Sequence, residues 1–310
     1  MYSSNASKAD ILSVKEAELF CRKLTLSHYE NFITVSFLLP KELHKPFYAV
    51  YAYCRISDDI GDEHNSTDAA KQEALRRFDV WERHLDECFD LSKDVPNEPV
   101  FIALRQVIRP FALVKEPFAD LLKAFRHDQI QSRYETLEEL LGYCRYSANP
   151  VGRIVLRLFL SSEKPFQEPA EEQYVWSDSI CTGLQLANFW QDIQRDALMG
   201  RCYIPQEFAA KHNVSIEELM SGLREKLPQL ETLQFRSMLR ELTEDARCRL
   251  NTGQPLAGSL PKQLAKNISL FIGGGLAILN AVEKCNYNVL TKRPVVSKWT
   301  QLCLLVRACF

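Results

Sequence analysis

Apolar residues recur at steps of three and four along nearly the whole chain. Ala74, Leu75, Phe78, Trp81, Leu85, Cys88 and Phe89 trace one such stripe, the signature of an amphipathic helix with one buried face. Helix starts are marked as well. Ser13-x-x-Glu16, Thr136-x-x-Glu139 and Ser215-x-x-Glu218 have the form of capping boxes. Pro99, Pro150, Pro169 and Pro205 stand where a first helical turn tolerates proline. Strand signals are missing: there is no Asn-Gly or Asp-Gly hairpin turn and no sustained alternation of polar with apolar positions. The breaks at 92–99, 161–169 and 253–261 are short, with no repeat or low-complexity tract between them. The pattern predicts a single all-α domain over residues 1–310, built from about ten or more helices.

Two segments depart from this simple stripe. In Gln185-Leu186-Ala187-Asn188-Phe189-Trp190-Gln191-Asp192-Ile193-Gln194-Arg195-Asp196, the residues Gln185, Asn188, Asp192 and Asp196 fall at steps of three, four and four. That spacing gathers them on one helix face. Apolar neighbours fill most of the remainder, so the helix is expected to be largely buried. Acids and amides on a buried helix are costly unless something binds them. Tyr51, Arg55, Asp58 and Asp62 repeat the arrangement far upstream, with Asp59 and Glu63 beside them. Asp58 and Asp62 repel on an exposed helix, whereas beside a hard divalent cation they become an oxygen ligand set. A solvated acidic turn ending near Gly61 is the alternative for this first cluster alone.

Composition narrows the setting. The 310 residues are 46% hydrophobic and 25% charged, as in ordinary globular proteins. A net charge of -2 gives no reason to expect nucleic acid. The ten cysteines are scattered, form no C-x-x-C pair and follow no secretory leader; they read as reduced thiols filling small apolar spaces. The longest apolar stretch, Ile268–Val282, has about 15 residues, fewer than the roughly 20 that span a bilayer. With Gly273-Gly274-Gly275 inside it, a tightly packed core helix is expected. The apolar end, Trp299 to Phe310, reads as a last core helix or a peripheral membrane contact.

Smaller constellations have two readings each. Arg201-x-Tyr203-x-Pro205 offers a phosphate contact and a hydroxyl donor, or a surface loop leading into a helix. Tyr143-Cys144-Arg145-Tyr146-Ser147-Ala148-Asn149-Pro150-Val151-Gly152 must break or kink a helix at the proline, and Gly152 lets a backbone or a ligand come close. Asp128 is a candidate further polar group in a cavity. No histidine pair has zinc spacing, and no G-x-G-x-x-G fingerprint is present.

These motifs resemble the squalene/phytoene synthase family of head-to-head isoprenoid synthases. The resemblance covers about residues 15–298 and is carried by Tyr51-x-x-x-Arg55-x-x-Asp58-Asp59-x-x-Asp62, by Gln185-x-x-Asn188-x-x-x-Asp192-x-x-x-Asp196, and by Arg201-x-Tyr203-x-Pro205. His28-x-x-x-Phe32 and Tyr143 also fall at family spacing, and the segment from Asn286 to Arg293 resembles the family's closing helix. Within the family, the stretches from Ser27 to Phe32, from Tyr143 to Gly152 and from Asn188 to Asp192 are most similar to the HpnC type of bacterial hopanoid pathways. Related phytoene synthases more often carry Ala-Gly in place of Ala148-Asn149, and small aliphatics with Arg in place of Phe189-Trp190-Gln191.

The resemblance implies an isoprenoid-synthase-type helical bundle around a central cavity, and two or three Mg²⁺ ions that grip a diphosphate. Asp58, Asp62, Asn188, Asp192 and Asp196 are implied as metal ligands. His28, Phe32, Arg55, Gln185, Arg201, Tyr203 and Arg293 are implied on the substrate, with Tyr51 shaping the wall and Tyr143 assisting ionisation or moving a proton. The HpnC type is described as a carbon–oxygen lyase converting presqualene diphosphate and water to hydroxysqualene. Asn149, with Gln191 behind it, is the candidate for orienting that water. The alternative is condensation of two prenyl diphosphates to presqualene diphosphate, squalene, dehydrosqualene or phytoene. A metal-independent lipid carrier is disfavoured, since both acidic motifs are intact. NADPH is not expected. Expected partners are a prenyl diphosphate, peripheral membrane, and the enzymes that make presqualene diphosphate and reduce hydroxysqualene; the expected location is cytoplasmic.

Overall fold

The computed structural model describes residues 12–27, 39–62, 67–164, 166–225 and 232–297. These form helices with no strand among the described residues. In chain order they are α1 (Val14–Ser27), α2 (Lys41–Asp62), α3 (Asp68–Phe89), α4 (Pro99–Ile108), α5 (Glu116–His127), α6 (Leu137–Ser147) and α7 (Asn149–Glu163). Then follow α8 (Glu171–Leu198), α9 (Gln206–Lys211), α10 (Ile216–Glu225), α11 (Leu233–Thr252), α12 (Pro255–Gly258) and α13 (Lys262–Lys284). The all-α architecture expected from the sequence is therefore observed among the described residues.

Local chemistry explains the starts. Ser13 and Glu16 close a full capping box: the Ser13 amide donates to Glu16 Oε2 at 2.9 Å and the Glu16 amide to Ser13 Oγ at 3.3 Å. Thr136 and Ser215 accept from the amides of Glu139 and Glu218, each at 3.2 Å. Pro99 and Pro150 lie in first turns, where no amide hydrogen is needed. Pro169 does not; it precedes Ala170, the residue that caps α8. The expected break at 253–261 contains the single turn α12.

α2 is held by its inner face. Tyr53 donates to the Phe118 carbonyl at 3.0 Å, Trp81 Nε1 donates to Ser57 Oγ at 2.9 Å, and the Trp81 and Phe101 rings lie 4.5 Å apart. At 3.6 residues per turn, Tyr51, Arg55 and Asp58 project opposite to Tyr53. Locking Tyr53 and Ser57 into α3, α4 and α5 thus turns the first acidic face away from that packed layer.

α8 is the axis of the C-terminal half and packs on α6, α7, α10, α11, α12 and α13. α7 touches both α2 and α8 and so joins the halves. Gly152 makes this possible: a Cβ there would lie 2.4 Å from Cys181 Sγ and 2.6 Å from Ser177 Oγ. Its neighbour is therefore helix α8. The chain breaks between α6 and α7 at Ala148, as Pro150 requires.

α13 is longer than the sequence suggests. Its 23 residues satisfy a membrane span by length and composition; the apolar period simply continues beyond Ile268 towards the N-terminus. It packs on α8 and α11, so tightly that a Cβ on Gly275 would meet Leu184 Cδ2 at 2.8 Å. The segment after it is not helical. Asn286 and Tyr287 take positive φ of 55° and 59°, a left-handed turn that ends α13, and residues 285–297 run on as a strap. The eight cysteines within the described residues are free thiols. The C-terminal stretch from Trp299 lies outside the described residues.

Candidate active site

The first acidic face ends α2. Arg55 Nη1 donates to Asp58 Oδ2 at 3.4 Å, and Arg55 Nη2 is hydrogen-bonded to Asp59 Oδ1. The guanidinium is therefore drawn over the acidic turn. Its Nε is buried and makes no hydrogen bond among the described residues. Tyr51 is half-buried on the same face, and burial raises its phenol above the usual range while Arg55 opposes that. Asp62 is the last residue of α2; its side chain, like His28 and Phe32, lies outside the described residues.

The second acidic face lies on α8 and is more open than expected. Asn188 is exposed, and Gln185, Asp192 and Asp196 are half-buried. Phe189, Trp190 and Ile193 take the buried side, which leaves the polar face towards open space rather than inside the core. Asp192 is gripped by the strap: Arg293 Nη2 reaches Asp192 Oδ2 at 3.0 Å, and Arg293 Nε is bonded to Asp192 Oδ1. The Asp196 carboxyl is pushed up to about 7 by burial and by Asp192, with Arg201 and Arg293 pulling the other way.

A polar and aromatic cluster connects the two faces. Tyr143 donates to Asp128 Oδ2 at 3.0 Å. Burial raises the Tyr143 phenol well above its usual range, and the Asp128 charge adds to this, so Tyr143 acts as a neutral hydroxyl. Its ring centroid is 6.0 Å from that of Tyr203, which stacks on Phe189 at 3.8 Å with an 11° interplanar angle. Next to Asp128, Gln129 donates to the Gly61 carbonyl at the acidic end of α2, at 3.2 Å.

Tyr203 and Arg201 do not belong to a free surface loop. The Cys202 amide donates to the Ser132 carbonyl at 2.9 Å and the Gln206 amide to the Tyr134 carbonyl at 3.0 Å. This backbone pairing presses Tyr203 into the cluster. Asn149 is buried at the start of α7, and its Oδ1 accepts from Thr182 at 2.9 Å. Sequence reasoning missed Gln129 and Tyr134. Tyr134 is buried, and its hydroxyl makes no hydrogen bond among the described residues. Their only signal was a polar Gln and an aromatic placed just after an apolar helix.

The donor set suits Mg²⁺. Every candidate ligand offers oxygen, and Mg²⁺ is commonly bound by one or two carboxylates with substrate phosphates and water supplying the rest. Among the described residues no three acidic, histidine or cysteine side chains converge on one point. The guanidinium of Arg293 already sits on Asp192, so this face holds a cationic group.

Known proteins resemble the chain over most of its length. Residues 26–300 match the squalene/phytoene synthase family. The 15-cis-phytoene synthase of Synechococcus elongatus is 27% identical over 300 residues, covering 95% of this chain and 93% of its own. The crystal structure of squalene synthase HpnC from Alicyclobacillus acidocaldarius superposes with a TM-score of 0.77 at 35% identity, covering 89% of this chain and 96% of that one. A ligand-bound dehydrosqualene synthase gives 0.79 at 27% identity, covering 96% of each chain. With a family match over residues 26–300 and this extent of likeness, the chain belongs to the squalene/phytoene synthase family.

Proposed function

We propose that this protein ionises presqualene diphosphate and captures the cation with water, releasing hydroxysqualene and diphosphate. The observation that most supports this is the HpnC-like second motif, Asn188-Phe189-Trp190-Gln191-Asp192, in a chain 35% identical to an HpnC crystal structure.

Asp58, Asp62, Asn188, Asp192 and Asp196 would hold Mg²⁺, which neutralises the charge that develops on a departing diphosphate. Arg55, Arg201 and Arg293 would contact the diphosphate, with His28, Gln185 and Tyr203 beside them. In the reaction the carbon–oxygen bond breaks, and its electron pair leaves with the diphosphate. The resulting cyclopropylcarbinyl cation rearranges. Water adds through its oxygen, and its surplus proton passes to the released diphosphate. Neutral Tyr143, whose one O–H is donated to Asp128, presents its oxygen as an acceptor and does not compete as a nucleophile. The Phe189, Tyr203 and Tyr143 rings offer faces that stabilise positive charge, with Phe32 and Tyr51 as further walls. Asn149, fixed by Thr182, is the proposed residue that orients the water.

A second reading, condensation of two prenyl diphosphates, is favoured by the phytoene synthase relatives. Incubation with Mg²⁺ and either presqualene diphosphate or farnesyl diphosphate, followed by mass analysis, separates the two. Hydroxysqualene from presqualene diphosphate, with little turnover of farnesyl diphosphate alone, is the expected result. Diphosphate release from farnesyl diphosphate with a condensed product would establish the second reading instead.

A further inference from the structure

We propose that Gln191 is a positioning residue that seats Arg293 at the mouth of the diphosphate site. The inference rests on the diphosphate reading above and assigns a role to a residue that is neither an acid nor a proposed metal ligand. Gln191 is buried on α8 beside Asp192. Its Nε2 donates to the Pro294 carbonyl at 2.6 Å, and its Oε1 accepts from Arg293 Nη2 at 3.0 Å. One amide therefore holds both the backbone and the side chain of the strap.

The chemistry requires this side-chain type. A primary amide carries a donor and an acceptor together, so it can satisfy a carbonyl and a guanidinium at once. An arginine at 191 has donors only; it could reach the Pro294 carbonyl but would set a second guanidinium against Arg293. A methionine of similar length would hold neither partner.

The seating matters because Arg293 stays half open while anchored. Its side chain is 50% exposed, whereas that of Asp192 is 15% exposed. The guanidinium is thus held by Gln191 and Asp192 while half of the side chain stays accessible. A diphosphate arriving at Asp192 meets a fork already ordered, without the entropy cost of fixing a loose arginine. Gln191 therefore acts through Arg293, and its contribution is to substrate binding.

The test uses the full chain and two probes. In calorimetry with inorganic diphosphate and Mg²⁺, Gln191→Met should weaken binding by roughly ten- to a hundredfold, the range for losing a hydrogen bond to a charged group. In an Arg293→Lys background the same change should add less than about threefold, since the two act as one unit. In turnover, KM rises while kcat changes little. The second probe needs no ligand: trypsin should cut after Lys292 faster in Gln191→Met and Gln191→Arg than in wild type, with cleavage at other lysines unchanged. Unchanged diphosphate affinity with unchanged protection of Lys292 would overturn the proposal. A fall in kcat at constant affinity would also overturn it, by assigning Gln191 to the reacting water. Acceleration at all tryptic sites together would reduce Gln191 to a general stabiliser. Should wild type fail to bind magnesium diphosphate, the diphosphate reading fails, and Lys292 protection alone decides whether Gln191 seats the strap.

Discussion

Gln129 donates from its side chain to the Gly61 carbonyl inside the protein, at 3.2 Å. Gly61 belongs to the acidic end of α2, and Gln129 follows the aspartate that orients Tyr143. From Tyr143 the contacts run through Tyr203 to Phe189, the neighbour of Asn188 on α8. Two helix faces remote in sequence are thereby tied to one polar and aromatic cluster. Replacing Gln129 with Leu should lower unfolding free energy by roughly 1–3 kcal/mol, the cost of breaking a buried hydrogen bond. Denaturant melts of the two proteins measure this, and equal midpoints would show that the link carries no weight.

Asp192→Asn should separate activity from stability. The Arg293 pair is half open to water, where ion pairs contribute about 0–1 kcal/mol, so the melting temperature should barely move. Diphosphate release should fall at least about a hundredfold, because charge neutralisation at the leaving group is worth several kcal/mol. Asp58→Asn on α2 should behave the same way. Loss of activity in only one of the two would mean that the faces do not work together.

Asp196 makes the metal-free protein sensitive to pH. An unfolded aspartate gives up its proton near about 3.9, while folded Asp196 keeps it up to about 7. Between these values the folded state holds the extra proton, so stability falls as pH rises from about 4 to about 7. Asp196→Asn should remove this component. Thermal melts of metal-free wild type and variant across that range check it; parallel curves would contradict the raised carboxyl.

Gly152→Ala should be strongly felt for a one-methyl change. The added carbon would sit 2.4 Å from Cys181 Sγ, and overpacking of this kind costs typically about 1–3 kcal/mol. Adding Cys181→Ala should recover part of the loss, which a double-mutant cycle in denaturant would read. An unchanged melt for Gly152→Ala would show that α7 and α8 are not so closely apposed.

Much of this was legible in the sequence. Spacing alone placed Tyr51, Arg55 and Asp58 on one face of α2, and Gln185, Asn188, Asp192 and Asp196 on one face of α8. Pro150 announced the break before α7. Periodicity reports which side of its own helix a residue occupies, and says nothing of what lies opposite. So it placed the α8 face in the interior, whereas Asn188 is exposed. Gln129 with Gly61 and Gln191 with Arg293 pair across 68 and 102 positions, and no local pattern encodes such partners. The strap was expected as helix because it resembles the family's closing helix; Asn286, a residue that takes the left-handed cap readily, was the local signal for a stop.

The most direct test is a crystal structure with Mg²⁺ and an unreactive prenyl thiodiphosphate. Metal ions bridging the diphosphate to Asp58 on α2 and to Asn188 and Asp192 on α8, with Arg293 still seated on Gln191 and reaching the diphosphate, are the result expected. A diphosphate bound elsewhere, or metal held by one helix with the other face untouched, would contradict the account.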